Sequence, residues 1–160
     1  MLFACYTLLR EKPVVVSVLD CGDERSKETL MAMVGLDLPR WLEWPISERY
    51  PDWKRVKELM VSLRESENIT SVWLPLPEPG GQEDHNSVGE IGRLVFGDRC
   101  RFYATYKRGH GRTRTDNEAI PEPDWYAKKF NAMSCYVSQI NHPQMRPWFC
   151  SDDMLREWIL

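Results

Sequence analysis

The sequence has no apolar run long enough to cross a bilayer: its longest uncharged apolar stretch, Val14 to Leu19, is far below the ~18 residues a membrane helix needs. Paired cysteines are lacking too. The five, at 5, 21, 100, 135 and 150, include no CxxC and no framework-like spacing, which argues against a disulfide scaffold. The opening MLFAC ends like a lipoprotein cleavage box, but four residues with neither a basic region nor an apolar core do not make a leader. These absences lead us to expect a soluble cytoplasmic protein with reduced thiols, making no membrane contact.

Catalytic signatures are missing as well. There is no HExxH, no P-loop, no GxGxxG before a helix and no GxSxG. Cys135, His142 and Cys150 are seven and eight residues apart, whereas structural zinc ligands come in close chelating pairs. Cys21 falls between an expected strand and an expected helix, but Asp20, Asp23 and Glu24 surround it and would raise its thiol pKa. His85, next to Glu83 and Asp84, fits an ordinary surface histidine. The expectation is a protein with no catalytic residue, no metal and no cofactor.

What the chain does have is aromatic mass and an uneven charge. At 160 residues and 42% apolar it suits one globular domain, 1–160, able to bury roughly 70% of its unfolded surface. Seven tryptophans exceed what such a core needs, and Trp and Tyr are the residues that carry interface energy. From Glu90 to Arg114 seven Lys and Arg stand against Glu90 and Asp98, a local charge of +5 that leaves −8 on the rest of a chain of net −3.

That basic stretch organises the sequence reading. Two alternating runs meet at Gly97-Asp98, a turn-forming pair. A β-hairpin is predicted, with Ile91, Val95, Cys100 and Phe102 facing the core. Its solvent face and distal run carry Arg99, Arg101, Tyr103, Lys107, Arg108, Arg112 and Arg114, residues suited to phosphate contacts and base stacking. A charged edge that prevents aggregation gives the same pattern.

Other strands are predicted at 3–9, 14–19 and 69–74, and a further one at 131–139, although Tyr126, Phe130, Met133, Val137 and Ile140 also fit one helical face. Helices are predicted near 24–34, started by Asp23 and stopped by Gly35, near 51–65, opened by Pro51 and Asp52, and at 151–160. A short helical turn is predicted at 38–44, and 75–89 is expected to be an acidic mobile loop. The predicted fold is α+β: a mainly antiparallel sheet of about five or six strands with three or four helices packed on it, including a C-terminal helix.

The function these features favour is that of a small non-catalytic binding protein that inhibits or neutralises one protein partner, of the bacterial toxin-immunity or phage-antagonist kind. Trp41 and Trp44 would anchor that partner, while Glu83, Asp84, Asp116 and Glu118 in two acidic loops would steer it, if it is basic. The alternatives are an RNA- or phosphate-binding module built on the hairpin, and an enzyme with an unrecognised site. Alkylation without reductant, read by mass spectrometry, is expected to modify all five thiols; a surviving intramolecular disulfide would move the protein to an oxidising compartment.

Overall fold

A computed structural model describes residues 4–18, 22–38, 40–43, 52–104, 117–150 and 157–159. Two compact units emerge from its contacts, Met1–Ser47 with Glu118–Glu157, and Glu48–Asn117 with Trp158–Leu160.

The first unit contains a parallel crossover. Strand β1 (Val14–Ser17) leads to helix α2 (Asp23–Gly35) and then to strand β2 (Arg40–Glu43), with Val14 opposite Arg40 and Ser17 opposite Glu43. Before it comes helix α1 (Cys5–Glu11), and after it come α5 (Trp125–Ser134), α6 (Val137–Asn141) and α7 (Arg146–Phe149). Helix α1 ends where Lys12 turns left-handed, with φ 48 and its N–H on Leu8 O; the Lys12 ammonium then donates to Leu36 O at 2.9 Å and Asp37 O at 2.8 Å.

A buried ion pair ties the helices of this unit together. Lys129 Nζ lies 2.9 Å from Glu157 Oε1, and neither side chain has any exposure. The same carboxylate accepts the Tyr6 N–H at 2.8 Å, satisfying a donor that the first turn of α1 would otherwise leave open. The ammonium also sits 4.8 Å from the centre of the Tyr6 ring. A second buried carboxylate, Glu28 on α2, accepts the Ser138 N–H and hydroxyl at 2.6 and 2.7 Å, joining α2 to the start of α6.

The second unit repeats the parallel arrangement. Helix α3 (Trp53–Ser66) precedes strand β3 (Val72–Pro75), which leads to α4 (Glu83–Phe96), a 3-10 turn (Gly97–Arg99) and strand β4 (Cys100–Tyr103). Strands β3 and β4 pair in parallel from Val72 opposite Cys100 to Pro75 opposite Tyr103. Strand β6 (Trp158–Ile159) runs antiparallel to β4, and β5 (Asn117–Glu118) completes the order β3-β4-β6-β5. Val56 and Met60 of α3 are buried, with Leu74, Val95 and Phe96.

This architecture overturns the predicted antiparallel sheet. Both four-residue pairings are parallel, the described strands are short, and helices supply most of the ordered chain. The predicted hairpin is a helix followed by a strand. Gly97, read as a hairpin turn, ends α4 at φ 56 with its N–H on Arg93 O, because a positive φ serves a helix stop as well as a tight turn.

Other expectations change for similar reasons. The 3–9 stretch is helical from Cys5, since an unbroken apolar run has no period to separate helix from strand. Most of the 131–139 stretch falls in α5 and α6; of α5 and the residues after it, Lys129, Ala132, Met133 and Tyr136 are buried while Tyr126, Phe130 and Val137 are exposed. Within the predicted 38–44 turn, Arg40–Glu43 is strand β2, and 75–89 contains the start of α4. Glu157 is buried and Trp158–Ile159 is a strand, so the predicted C-terminal helix does not extend over them; residues 151–156 lie outside the described residues. Helices α2 and α3 stand as predicted, α3 capped by Asp52 Oδ1 accepting Lys54 N–H at 3.0 Å. Their details shift: Gly22 caps α2, and Asp37 rather than a glycine takes the left-handed turn.

The ion pair makes a measurable demand on stability. Lys129→Met, which strands a buried carboxylate, is expected to cost roughly 3–5 kcal/mol in urea denaturation. Adding Glu157→Gln keeps an acceptor for the Tyr6 N–H and removes the charge, and is expected to recover most of the loss.

Candidate functional site

In a parallel α/β crossover the loop leaving the carboxyl end of a strand meets the start of a helix, and ligands bind there in open sheets. The β3–α4 junction, Leu76-Pro77-Glu78-Pro79-Gly80-Gly81-Gln82, occupies that position. Its backbone is held in place. Glu78 N–H donates to Asn86 Oδ1 at 2.9 Å, and Asn86 Nδ2 donates back to Glu78 O at 2.8 Å. Gly81 N–H also donates to Glu78 O at 2.9 Å.

Small residues are required where these pieces meet. Gly80 has φ +69, and a Cβ on Gly81 would come 2.8 Å from Asn86 Oδ1. A Cβ on Gly89 would strike Pro75 O, and one on Gly92 would meet Leu74 Cδ1 at 2.5 Å. Helix α4 therefore lies directly on β3, which fixes its first turn beside the strand's end.

Two titratable groups are placed there. The Glu78 side chain is buried, at 3% exposure. His85, in the first turn of α4, is half-buried and its pKa is lowered from 6.5 to about 4, chiefly by burial, with Asp84 working in the opposite direction. At neutral pH the imidazole is uncharged and offers one donor and one acceptor. A base this weak is poorly matched to proton abstraction near pH 7 and better suited to hydrogen bonding. Glu83 and Asp84 add negative charge at the helix start, which opposes an anionic ligand.

The first crossover has a cleft at its equivalent junction. About 770 Å³ in volume, it is lined by Gly22, Asp23, Glu24 and Arg25 of the α2 start and by Ser138, Gln139, Asn141, His142 and Pro143. Two of its polar groups are engaged: Ser138 on Glu28, and Arg25 on Glu28 at 3.4 Å and over the Tyr136 ring at 5.1 Å. Among the described residues no group of three His, Cys, Asp or Glu is arranged to hold a metal ion, and no helix is long and apolar enough to cross a membrane.

The residues singled out from sequence are dispersed. Arg99 and Arg101 are exposed but bond backbone carbonyls, Arg99 to Ile69 O at 3.1 Å and Arg101 to Cys100 O at 2.9 Å. Tyr103 is in β4 and half-buried, its phenol pushed up to about 12 by burial. Lys107, Arg108, Arg112, Arg114, Trp44 and Asp116 lie outside the described residues, as does Cys21. Trp41 falls in β2 and Glu118 in β5. Glu83 and Asp84 belong to a helix, not to an acidic loop, and His85 is more buried than a surface histidine. Sequence reasoning did not single out Glu78, because 75–89 read as a loop and the helix that follows it read as a hairpin strand.

Compared with models of protein families, with curated proteins and with solved structures, the chain matches none.

The His85 environment can be checked by titration. With its folded pKa lowered from 6.5 to about 4, this group contributes stability that is present above pH 6.5 and lost as pH falls toward 4. NMR should show the His85 ring protonating near pH 4, well below the ordinary imidazole value of 6.5; a midpoint near 6.5 would mean the ring is in water.

Proposed function

We propose that the chain binds a small polar ligand that donates hydrogen bonds, neutral or cationic, at the β3–α4 junction. The observation that carries this reading is the placement of a buried carboxyl, Glu78, on a braced loop at the carboxyl end of a parallel strand, with an uncharged half-buried imidazole, His85, in the first turn of the helix that follows. Both groups accept hydrogen bonds, and Glu83 and Asp84 disfavour phosphate. The odd cysteine count supports a cytoplasmic setting, and the four described cysteines are free.

Thermal shift against polyols, amines and inorganic phosphate tests it. A ligand at about 100 times its Kd adds roughly 2.7 kcal/mol, or about 5–10 °C in a chain of this size. A hydroxyl- or amine-bearing compound should raise Tm and phosphate should not, and His85→Ala should abolish the shift with the circular dichroism unchanged. A shift from phosphate alone, or one indifferent to His85→Ala, would refute the assignment.

A second reading keeps the protein partner, the inhibitor or antagonist expected from sequence. It is favoured by the apolar residues left open on one face of α2, Leu30, Met31 and Val34 at 50, 61 and 74% exposure, and by Tyr126 and Phe130 on α5, which packs against it. Surface apolar groups collected in this way mark contact sites more often than isolated ones do.

A further inference from the structure

Apolar side chains open to solvent collect on one helical layer of the first unit. Beside Leu30, Met31 and Val34 of α2, Tyr126 and Phe130 of α5 are 45 and 59% exposed, and Val137 at the start of α6 is 54% exposed. These elements adjoin. Helix α2 packs on α5 and α6, the Tyr136 hydroxyl lies 3.2 Å from Thr29 Oγ1, and Ser138 bonds Glu28.

The area on this layer suits a stable interface. Taking roughly 150–250 Å² for a large side chain in the open, the six at these exposures leave on the order of 500–800 Å². The largest apolar patch of a typical monomer is about 300–600 Å², and each partner of a stable complex buries about 800 Å². The layer stands at the upper limit of the first and close to the second.

Charge narrows the occupant. Lys128 is matched by Asp124 at 2.6 Å on its own helix, and the other exposed positions from Tyr126 to Ser134 carry no charge. Nor do those of α2 from Leu30 to Gly35. A basic target finds no counter-charge on such a surface. Homodimer interfaces are the more apolar class, and a twofold axis sets one patch against itself. Two copies of a chain of net charge −3 meet here without opposing like charges.

We propose that the α2–α5 layer is the interface between two copies of this chain related by a twofold axis. The inference rests on the contact face of the second reading above, names its occupant, and is independent of any ligand at the β3–α4 junction.

Sedimentation equilibrium of the full chain tests it, in a thiol reductant so that the exposed Cys150 cannot link copies. Wild type should dimerise with a micromolar or tighter Kd. Val34→Lys on α2 and Phe130→Lys on α5 alter open side chains and should each weaken the dimer by about 30-fold or more, with the circular dichroism unchanged. Leu94→Lys, 76% exposed in the other unit, should leave the Kd as it is. A wild type that stays monomeric at high micromolar concentration, or a dimer indifferent to both α2 and α5 lysines, would overturn the proposal. A monomer that bound a different protein through Val34 and Phe130 would overturn the dimer alone and leave the contact face standing.

Discussion

Parallel pairing is the constraint on which both units depend. Two parallel strands cannot be joined by a tight turn, so the chain must return along the sheet before the second strand begins. Helix α2 makes that return in one unit and α4 in the other. Once the return is helical, the loop between strand and helix is fixed at the carboxyl end of the first strand. The candidate site follows from this placement. Gly89 and Gly92 let α4 lie close on β3, and Asn86, on the same helix, closes on the Glu78 backbone.

The Lys129–Glu157 pair shows a different balance. Burial raises the Glu157 pKa, and the nearby Lys129 and the Tyr6 N–H pull it down without cancelling the rise. A carboxyl with a raised folded pKa contributes stability that is full below its unfolded pKa and declines as pH rises through the folded value. At neutral pH the charged pair is therefore weak as a source of stability. Its clearer consequence is geometric: one carboxylate, 151 residues from Tyr6 and 28 from Lys129, fixes the start of α1 against α5, an arrangement an apolar contact of equal volume would specify less sharply.

The same two features explain what was legible in the sequence. Helices α2 and α3 carry local signals, a polar start and an apolar stripe, and local signals survive folding. Helix α1 has none, because its open N–H groups are satisfied by Glu157 at the far end of the chain. Residues 91–96 alternate as a strand should, yet Gly89, Gly92, Val95 and Phe96 form the buried face of a helix; a period of two and a period of 3.6 cannot be told apart over so few residues. Of the candidate site, Glu83 and Asp84 were legible as acidic, while the burial of Glu78 depends on Asn86 folding the loop back, which no local pattern encodes.

Charge decides between the kinds of ligand these units suit. The sequence places its basic residues together, and an anion partner is the natural first reading. Two of the three arginines of that stretch in the described chain, Arg99 and Arg101, spend donors on backbone carbonyls, which lowers their capacity for a bidentate phosphate contact. The groups at the strand-to-helix junctions are of the opposite kind: Glu78, Glu83 and Asp84 at one, Asp23 and Glu24 at the other. An acidic residue in the first turn of a helix already compensates the N-terminal dipole, so a phosphate placed there would gain little from the helix and would face like charge. A ligand that brings hydrogen-bond donors meets neither penalty, and that asymmetry is the reason for proposing a small neutral or cationic ligand at the β3–α4 junction.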